Sequence, residues 1–503
     1  MTQNSYRTIL RSSSIMGAAS VANIVISLVR MKIVAVLLGP AGIGLVGLLC
    51  NLMQAGASVA AMGLGAVGVR QVAEAHGNGR HDDVAIARRA LLWGTLVLAA
   101  LGAAVVFLLR EPIARLVLAD AGQAGNVGWL AVGVALTVAS GSQGALLNGM
   151  RRIGDLAWLQ IASALLSSAL GVGALLLWGG AGLTGFVLSA PLATFVLGHY
   201  FVARSGAVRA PPTPRRQVVA QWRIMIPLGA AFMISGLVTT GGFLVVRSLV
   251  RRELGAEELG YFQAAWAIGM TYLAFVLGAM GTDYYPRLSG CIGDPAAASR
   301  LVNEQTEVAL LLTAPPLIAV LALSPWIVRL LYTNEFGPAV DILHWQLLGD
   351  LLKVMSWPLG FVMLAAGAGR TFIFSESIAL AVYVGGVALG LALVGVVATG
   401  IAFLAMYAVL LPIVYWLARR RIGFRWTPSI VVHGAIFFGV ACGVSAVSRW
   451  SEPMAAVIGL TAAGLIAPYA LGRLGRMAEL SGPVGHLAAL ARSSTERLGI
   501  RHG

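Results

Sequence analysis

Lysine is nearly missing from this chain of 503 residues: Lys32 and Lys353 are the only two, and every other cation is arginine. Both lie inside apolar stretches long enough to span a membrane, where an ionisable side chain is costly and marks a functional position. Charged residues of all kinds make up only 11% of the chain and hydrophobic residues 58%, which excludes an ordinary soluble fold. Cysteine is scarce too. Cys50, Cys291 and Cys442 stand too far apart for a disulfide framework or a cysteine metal site. No basic run is interleaved with aromatics, so the net charge of +15 does not read as a nucleic-acid surface. No cluster of ligand residues calls for a metal, and no motif calls for a cofactor.

What the chain does have is long apolar runs rich in glycine, of which there are 62 residues. Small residues of this kind let helix backbones approach closely in lipid. Fourteen helices are predicted, at roughly 9–37, 42–68, 90–109, 126–147, 157–178, 182–203, 224–249, 259–282, 307–331, 341–365, 373–396, 398–418, 429–447 and 454–472. Each approaches or exceeds the ~20 residues that cross a bilayer core. The fold class is therefore an all-α polytopic membrane protein. The apolar run after Arg7 and Arg11 is too long for a signal peptide and reads as the first spanning helix.

Arginine counting sets the orientation. With the N-terminus inside, the cytoplasmic segments hold 25 cations and the outer loops and helix ends hold 7. That asymmetry places both termini in the cytoplasm. The richest segment, Arg204 to Arg223 with Pro211, Pro212 and Pro214, reads as a linker. The organisation expected is a six-helix bundle at 1–203, the linker at 204–223, a second six-helix bundle at 224–418, two extra helices at 419–472 and a cytoplasmic tail at 473–503.

The two bundles look related. Gly39, Gly44 and Gly65 fall on Gly255, Gly260 and Gly281 at one constant offset of 216 residues. Six helices separate the copies, an even number, which predicts parallel repeats about an axis along the membrane normal with the site between them.

Arg30 and Lys32 lie ~9 to 13 Å below the end of helix 1 at Gly39, at 1.5 Å per residue. Two positions on a helix turn through ~200°, so the two cannot face one narrow groove. The repeat offset carries Met31, between them, onto Arg247. Each half thus offers cations at similar depth, as a clamp on an anion requires, although such side chains also snorkel to headgroups. Asp350 and Lys353 share one helix face at i,i+3, as a structural ion pair or as a pair that opens for substrate or a coupling proton. Asp283 and Glu376 are further candidates for a substrate or ion role. Tyr261, Trp266 and Tyr272 either line a sugar path or belong to an aromatic belt. His344 and His433 read as helix histidines with hydrogen-bonding partners.

GYFQAAWAIGMTYLAFVLGAMGTDYYPRLS at 260–289 and WQLLGDLLKVMSWPLGFVMLA at 345–365 resemble the Wzx-type O-antigen and lipid III flippases of the polysaccharide exporter family. LLGPAGIGLVGLLCNLMQAG at 37–56 and LLNGMRRIGDL at 146–156 extend the resemblance, which covers about the first 420 residues. It implies the fold of the multidrug/oligosaccharidyl-lipid/polysaccharide exporter superfamily, two six-helix bundles around a central cavity. It further implies that an undecaprenyl-pyrophosphate-linked glycan is moved from the inner to the outer leaflet of a bacterial inner membrane. On this reading Arg30, Lys32, Arg247 and Lys353 bind the pyrophosphate. The partners are the lipid-linked glycan, membrane lipids and glycan polymerase machinery, with no nucleic acid. Two departures stand out. Ala267 and Met270 occupy positions where the family usually has a basic and then an acidic residue, and Asp283 replaces a small polar one. Lipid II flipping and multidrug antiport are the rival readings within the superfamily. An O-antigen polymerase or ligase is the enzymatic rival, but the chain lacks a long outer loop with an acid, base and nucleophile.

Overall fold

In lipid every backbone N–H and C=O must find a partner within its own segment, so a long apolar chain has the helix as its solution. The computed structural model describes residues 3–77, 81–205, 222, 233, 237 and 240–477, with side chains from residue 16 onward except those at 66, 77–83, 272, 274–276, 279–283 and 477. Every regular element among them is helical. The first half contains α1 (Gln3–Ala61), α2 (Leu64–Gly77), α3 (His81–Leu108), α4 (Arg110–Val117), α5 (Ala124–Gly149), α6 (Ile153–Trp178) and α7 (Leu183–Arg204). A helix over 240–253, α8, follows. Then come α9 (Ala256–Cys291), α10 (Pro295–Ala322), α11 (Ser324–Leu331), α12 (Ala339–Ala365), α13 (Gly369–Val394), α14 (Ala398–Ile422), α15 (Pro428–Ser448) and α16 (Glu452–Met477).

Among the described residues nine stretches are long and apolar enough to cross a membrane. Three of them, Met16–Ala61, Ile153–Arg204 and Gly369–Ile422, run 46, 52 and 54 residues, well over twice the ~20 that one crossing needs. Each breaks at a glycine of positive φ: Gly39 at 62°, Gly179 at 55° and Gly395 at 60°. Only glycine adopts such backbone cheaply, so each break turns one stretch into two helices. The chain is thus an all-α polytopic membrane protein. The count of fourteen stays an expectation, because the segment expected at 224–249 lies partly outside the described residues.

The repeat offset runs through the backbone itself. Gly39 and Gly255, Arg151 and Gly367, and Gly179 and Gly395 all have positive φ and all pair at 216 residues. Helices α6 and α13 start and stop at the same offset. Packing repeats with it: α3 on α5, α5 on α7 and α6 on α7 in the first copy correspond to α10 on α12, α12 on α14 and α13 on α14 in the second.

Two repeat-related glycines meet. A Cβ on Gly44 would strike the Ala256 carbonyl, and one on Gly260 would strike the Pro40 carbonyl. Pro40 and Ala256 are themselves related by the 216-residue offset, so the contact is self-complementary, as about a local two-fold axis.

By contacts the chain falls into two compact units, Met1–Gly260 with Leu331–Thr333, and Tyr261–Leu330 with Asn334–Gly503. The expected linker at 204–223 lies largely outside the described residues. In the second unit, α15 and α16 are fastened to α10 by polar bonds. Glu307 of α10 is engaged by Arg473 of α16 and accepts a hydrogen bond from Ser429 of α15 at 3.1 Å. His433 joins Ser429 at 3.2 Å and Tyr469 at 2.6 Å.

Some helix limits differ from expectation. The helix expected at 307–331 divides into α10 and α11, and the loop after helix 3 contains α4. Both inserts are short and amphipathic; in α4, Arg110, Glu111 and Arg115 alternate with Ile113, Leu116 and Val117. They end the spans as surface helices rather than loops. The helix expected at 42–68 breaks at Met62 and Gly63, both of positive φ.

The glycine contact makes a direct prediction. Gly260→Ala should lower detergent thermal stability by about 1–3 kcal/mol, the usual effect of overpacking where backbone cannot yield. Gly65→Ala, with open space around the added atom, should melt at or slightly above the wild-type temperature. Equal melting of the two variants would remove the contact as a constraint.

Candidate functional site

The cations of the first unit sit where helix geometry sends them. Arg30 of α1 is half-buried, bonds Ser167 of α6 at 3.4 Å and lies 5.4 Å from the Phe186 ring of α7. Its Nε has no hydrogen-bond partner among the described residues. Lys32, two residues on, points elsewhere and donates to the Tyr332 carbonyl. Arg247 of α8 is 4% exposed and donates to the Phe243 carbonyl at 3.2 Å. Cys50 lies within electrostatic reach of both Arg30 and Arg247. Two of the three expected cations of this unit therefore share one neighbourhood, and Lys32 faces away from it, as the ~200° separation requires.

The second unit holds a different cluster. Asp350 and Gln346, one turn apart on α12, are both 0% exposed, and among the described residues none of their side-chain oxygens or the Gln346 nitrogen has a hydrogen-bond partner. Across from them is Gly269 of α9, where an added Cβ would lie 3.6 Å from Asp350 Oδ2 and 3.7 Å from Gln346 Oε1. Buried polar atoms without partners are rare and costly, and they concentrate where proteins do chemistry or take a ligand.

Lys353 stands one turn beyond Asp350, but the two form no ion pair among the described residues. Instead the ammonium lies 3.5 Å from the Met270 sulfur and 5.9 and 5.8 Å from the Phe403 and Tyr407 rings of α14. Sharing a helix face brought Asp350 and Lys353 near, yet their tips diverge, one toward Gly269 and the other toward α14. Glu376 of α13 is half-buried and within electrostatic reach of Lys353. Trp266 packs on Phe403 at 5.7 Å between ring centroids, and Phe403 in turn meets Tyr407 at 5.1 Å and Tyr383 at 6.0 Å. Trp266 thus borders the Lys353 site, whereas Tyr261 packs edge-on against Phe336 at 6.2 Å. The side chains of Tyr272 and Asp283 lie outside the described residues.

His344 bonds Ser324 at 2.7 Å and Ser445 at 3.3 Å, and with His433 it is a histidine with partners at both ring nitrogens. Sequence reasoning missed Gln346, Gly269 and the Met270 contact. Gln346 had a readable signal, since it lies at i−4 from Asp350 and so on the same face.

Residues 9–291, more than half of the chain, match the family described as polysaccharide biosynthesis protein. A stretch of 149 residues is 26% identical to the lipid III flippase of Escherichia coli (strain K12), covering 29% of this chain and 34% of that protein. The chain therefore spans about a third of the length of that curated relative. In fold it is similar to an inward-facing multidrug resistance MATE family transporter of the MOP superfamily, with a TM-score of 0.68 at 16% identity, over 80% of this chain and 94% of that one. It is also similar to the lipid II flippase MurJ in an inward closed conformation, with a TM-score of 0.67 at 11% identity, over 92% of this chain and 99% of that one. Sequence and fold agree, and the chain belongs to the polysaccharide biosynthesis protein family.

Proposed function

We propose that this protein is a flippase. It carries an undecaprenyl-pyrophosphate-linked oligosaccharide, an O-antigen unit or similar surface glycan, from the inner to the outer leaflet of a bacterial inner membrane by alternating access. Both termini face the cytoplasm on this reading. Lys353 is the observation that carries it. Its ammonium contacts a thioether and two rings, and Asp350 and Glu376, within electrostatic reach, form no ion pair with it among the described residues, so its charge is available to an anionic headgroup. A pyrophosphate entering such a site loses water, and the cation offsets that loss. Within the first unit, Arg30 and Arg247 about Cys50, and Lys32 on the other side of its helix, are further cations suited to an anionic headgroup. Aromatic faces beside Lys353, Trp266 among them, suit sugar rings, which stack their apolar faces on such side chains.

Asp350 takes the coupling role. Its carboxylate, with Gln346 beside it, suits a cation or proton, and Lys353, itself within electrostatic reach of Glu376, is near enough to couple to it. A bound pyrophosphate on Lys353 would favour a positive charge at Asp350, and linkage makes the effect reciprocal. A second reading, lipid II as cargo, is supported by the extent of the likeness to MurJ, 92% of this chain. Complementation of strains lacking either flippase separates the two.

Lys353→Ala should lower delivery of glycan to the outer leaflet at least ten-fold, or ~1.4 kcal/mol. Met270→Glu should do the same by pairing the ammonium, whereas Met270→Leu should flip normally. Normal flipping by Lys353→Ala and Lys32→Ala together, at normal protein levels, would refute the cationic site.

Stability gives an independent check on Asp350. Replacing a buried carboxylate that has no partner by leucine should raise the melting temperature, by about 1 kcal/mol or more, while transport is lost. A lowered melting temperature would instead make Asp350 a structural residue.

A further inference from the structure

Away from the charged clusters, the first unit carries a groove of about 880 Å³ between α3 and α5. Ala104, Gly128 and Ala131 line it together with Phe107, Trp129 and Val132. Trp129 and Val132 are 62% and 44% exposed, so the groove faces the surroundings of the unit. Gly128 is the bed of the groove's mouth, since an added Cβ there would lie 3.5 Å from the Arg110 stem and 3.6 Å from the Phe107 ring.

Arg110 is the charge at that mouth. Its guanidinium stands 4.3 Å over the Phe107 ring. The adjacent acid, Glu111, is paired with Arg115 at 3.8 Å, and Arg110 has no ion pair among the described residues. The apolar span of α3 ends at Leu108, and the amphipathic α4 begins at Arg110, which puts the guanidinium at headgroup level. From there the groove follows α5 from Ala124 to Ala135, ~16 Å at 1.5 Å per residue. That is about half of the ~30 Å hydrocarbon thickness, the depth of one leaflet.

We propose that this groove binds one anionic glycerophospholipid, its phosphate on Arg110 and an acyl chain along α5. By the arginine count, the leaflet is the outer one. A single guanidinium matches the one charge of a phosphodiester. A pyrophosphate carrier would leave further negative charge beside Glu111 without a partner.

Native mass spectrometry of the full chain, supplied with phosphatidylglycerol, phosphatidylcholine or undecaprenyl pyrophosphate, tests the site. The wild type should retain phosphatidylglycerol over phosphatidylcholine by about five-fold, the ratio that ~1 kcal/mol per basic residue near a charged surface gives. Arg110→Ala should erase that preference and Arg110→Lys should keep it. Val132→Trp, which fills an exposed wall without touching the core, should lose both phospholipids while remaining monodisperse with unchanged helicity. Equal retention of the two phospholipids by the wild type overturns the site. So do an unchanged preference in Arg110→Ala, full retention in Val132→Trp, or binding of undecaprenyl pyrophosphate in place of phosphatidylglycerol.

Discussion

Two helices bring their backbones closest where a glycine on each leaves room for the other's backbone, and α1 meets α9 at such a place. Gly44 lies on the carbonyl of Ala256, and Gly260 lies on the carbonyl of Pro40. In lipid the helices gain little by hiding apolar surface from one another, so close packing of this kind is a main source of their association. The contact also fixes what lies around it. Gly39 and Gly255 break the chain immediately before each contacting segment, so the segments carrying Arg30 and Arg247 leave the same contact at related angles. Cys50, less than two turns beyond Gly44 on α1, lies within electrostatic reach of both arginines. The shared nearness of these two cations to Cys50 goes with two glycine breaks and one glycine contact.

Buried polar groups in the second unit fall into two kinds. Around Glu307, Arg473, Ser429, His433 and Tyr469 nearly every tip has a partner, and the bonds join three helices. A network satisfied in this way rigidifies and fixes one packing arrangement. A second set at the other end of α15 repeats the theme, with His344 between Ser324 and Ser445 and Arg329 on Glu452 at 3.0 Å. Helices α15 and α16 are therefore held to their unit near both ends, which makes them part of its rigid body rather than a loose addition. Asp350 and Gln346 are the opposite case, equally buried but without hydrogen-bond partners among the described residues. Where neighbouring polar groups are so well satisfied, an unsatisfied pair reads as a place kept open for something else.

Much of this was legible in the sequence because lipid leaves the backbone few options. Apolar run length gave the helices, and three glycines at one offset gave the repeat that the positive-φ residues later extended to Arg151 and Gly367. The short helices α4 and α11 were not legible, since eight residues of mixed polarity look like a loop until they lie on a surface. The site was only half readable. Helical spacing put Asp350 and Lys353 on one face and separated Arg30 from Lys32. It could not say that Lys353 reaches past Asp350 to the Met270 sulfur, because side-chain direction is decided by α9 and α14, and Met270 lies 83 residues away along the chain. Gly269 was invisible for the same reason: a glycine matters there only through what stands opposite.

The repeat is faithful in backbone and unfaithful in side chains, and that division carries the chemistry. Gly133 and Gly349 hold the same place in α5 and α12, and each accepts a side chain from the related helix, α7 or α14. On the same face of α12 stand Gln346, Asp350 and Lys353, and their counterparts in α5 at the 216-residue offset are Leu130, Val134 and Thr137. Leu130 and Val134 are buried core, and Thr137 turns its hydroxyl back to the Gly133 carbonyl. Hence the same helix position is closed by apolar packing in one copy and left polar and open in the other. Two similar frames let each unit fold by one set of rules. The unequal side chains then give only one of these helix faces a carboxylate one turn from an ammonium, where the other carries valine and threonine.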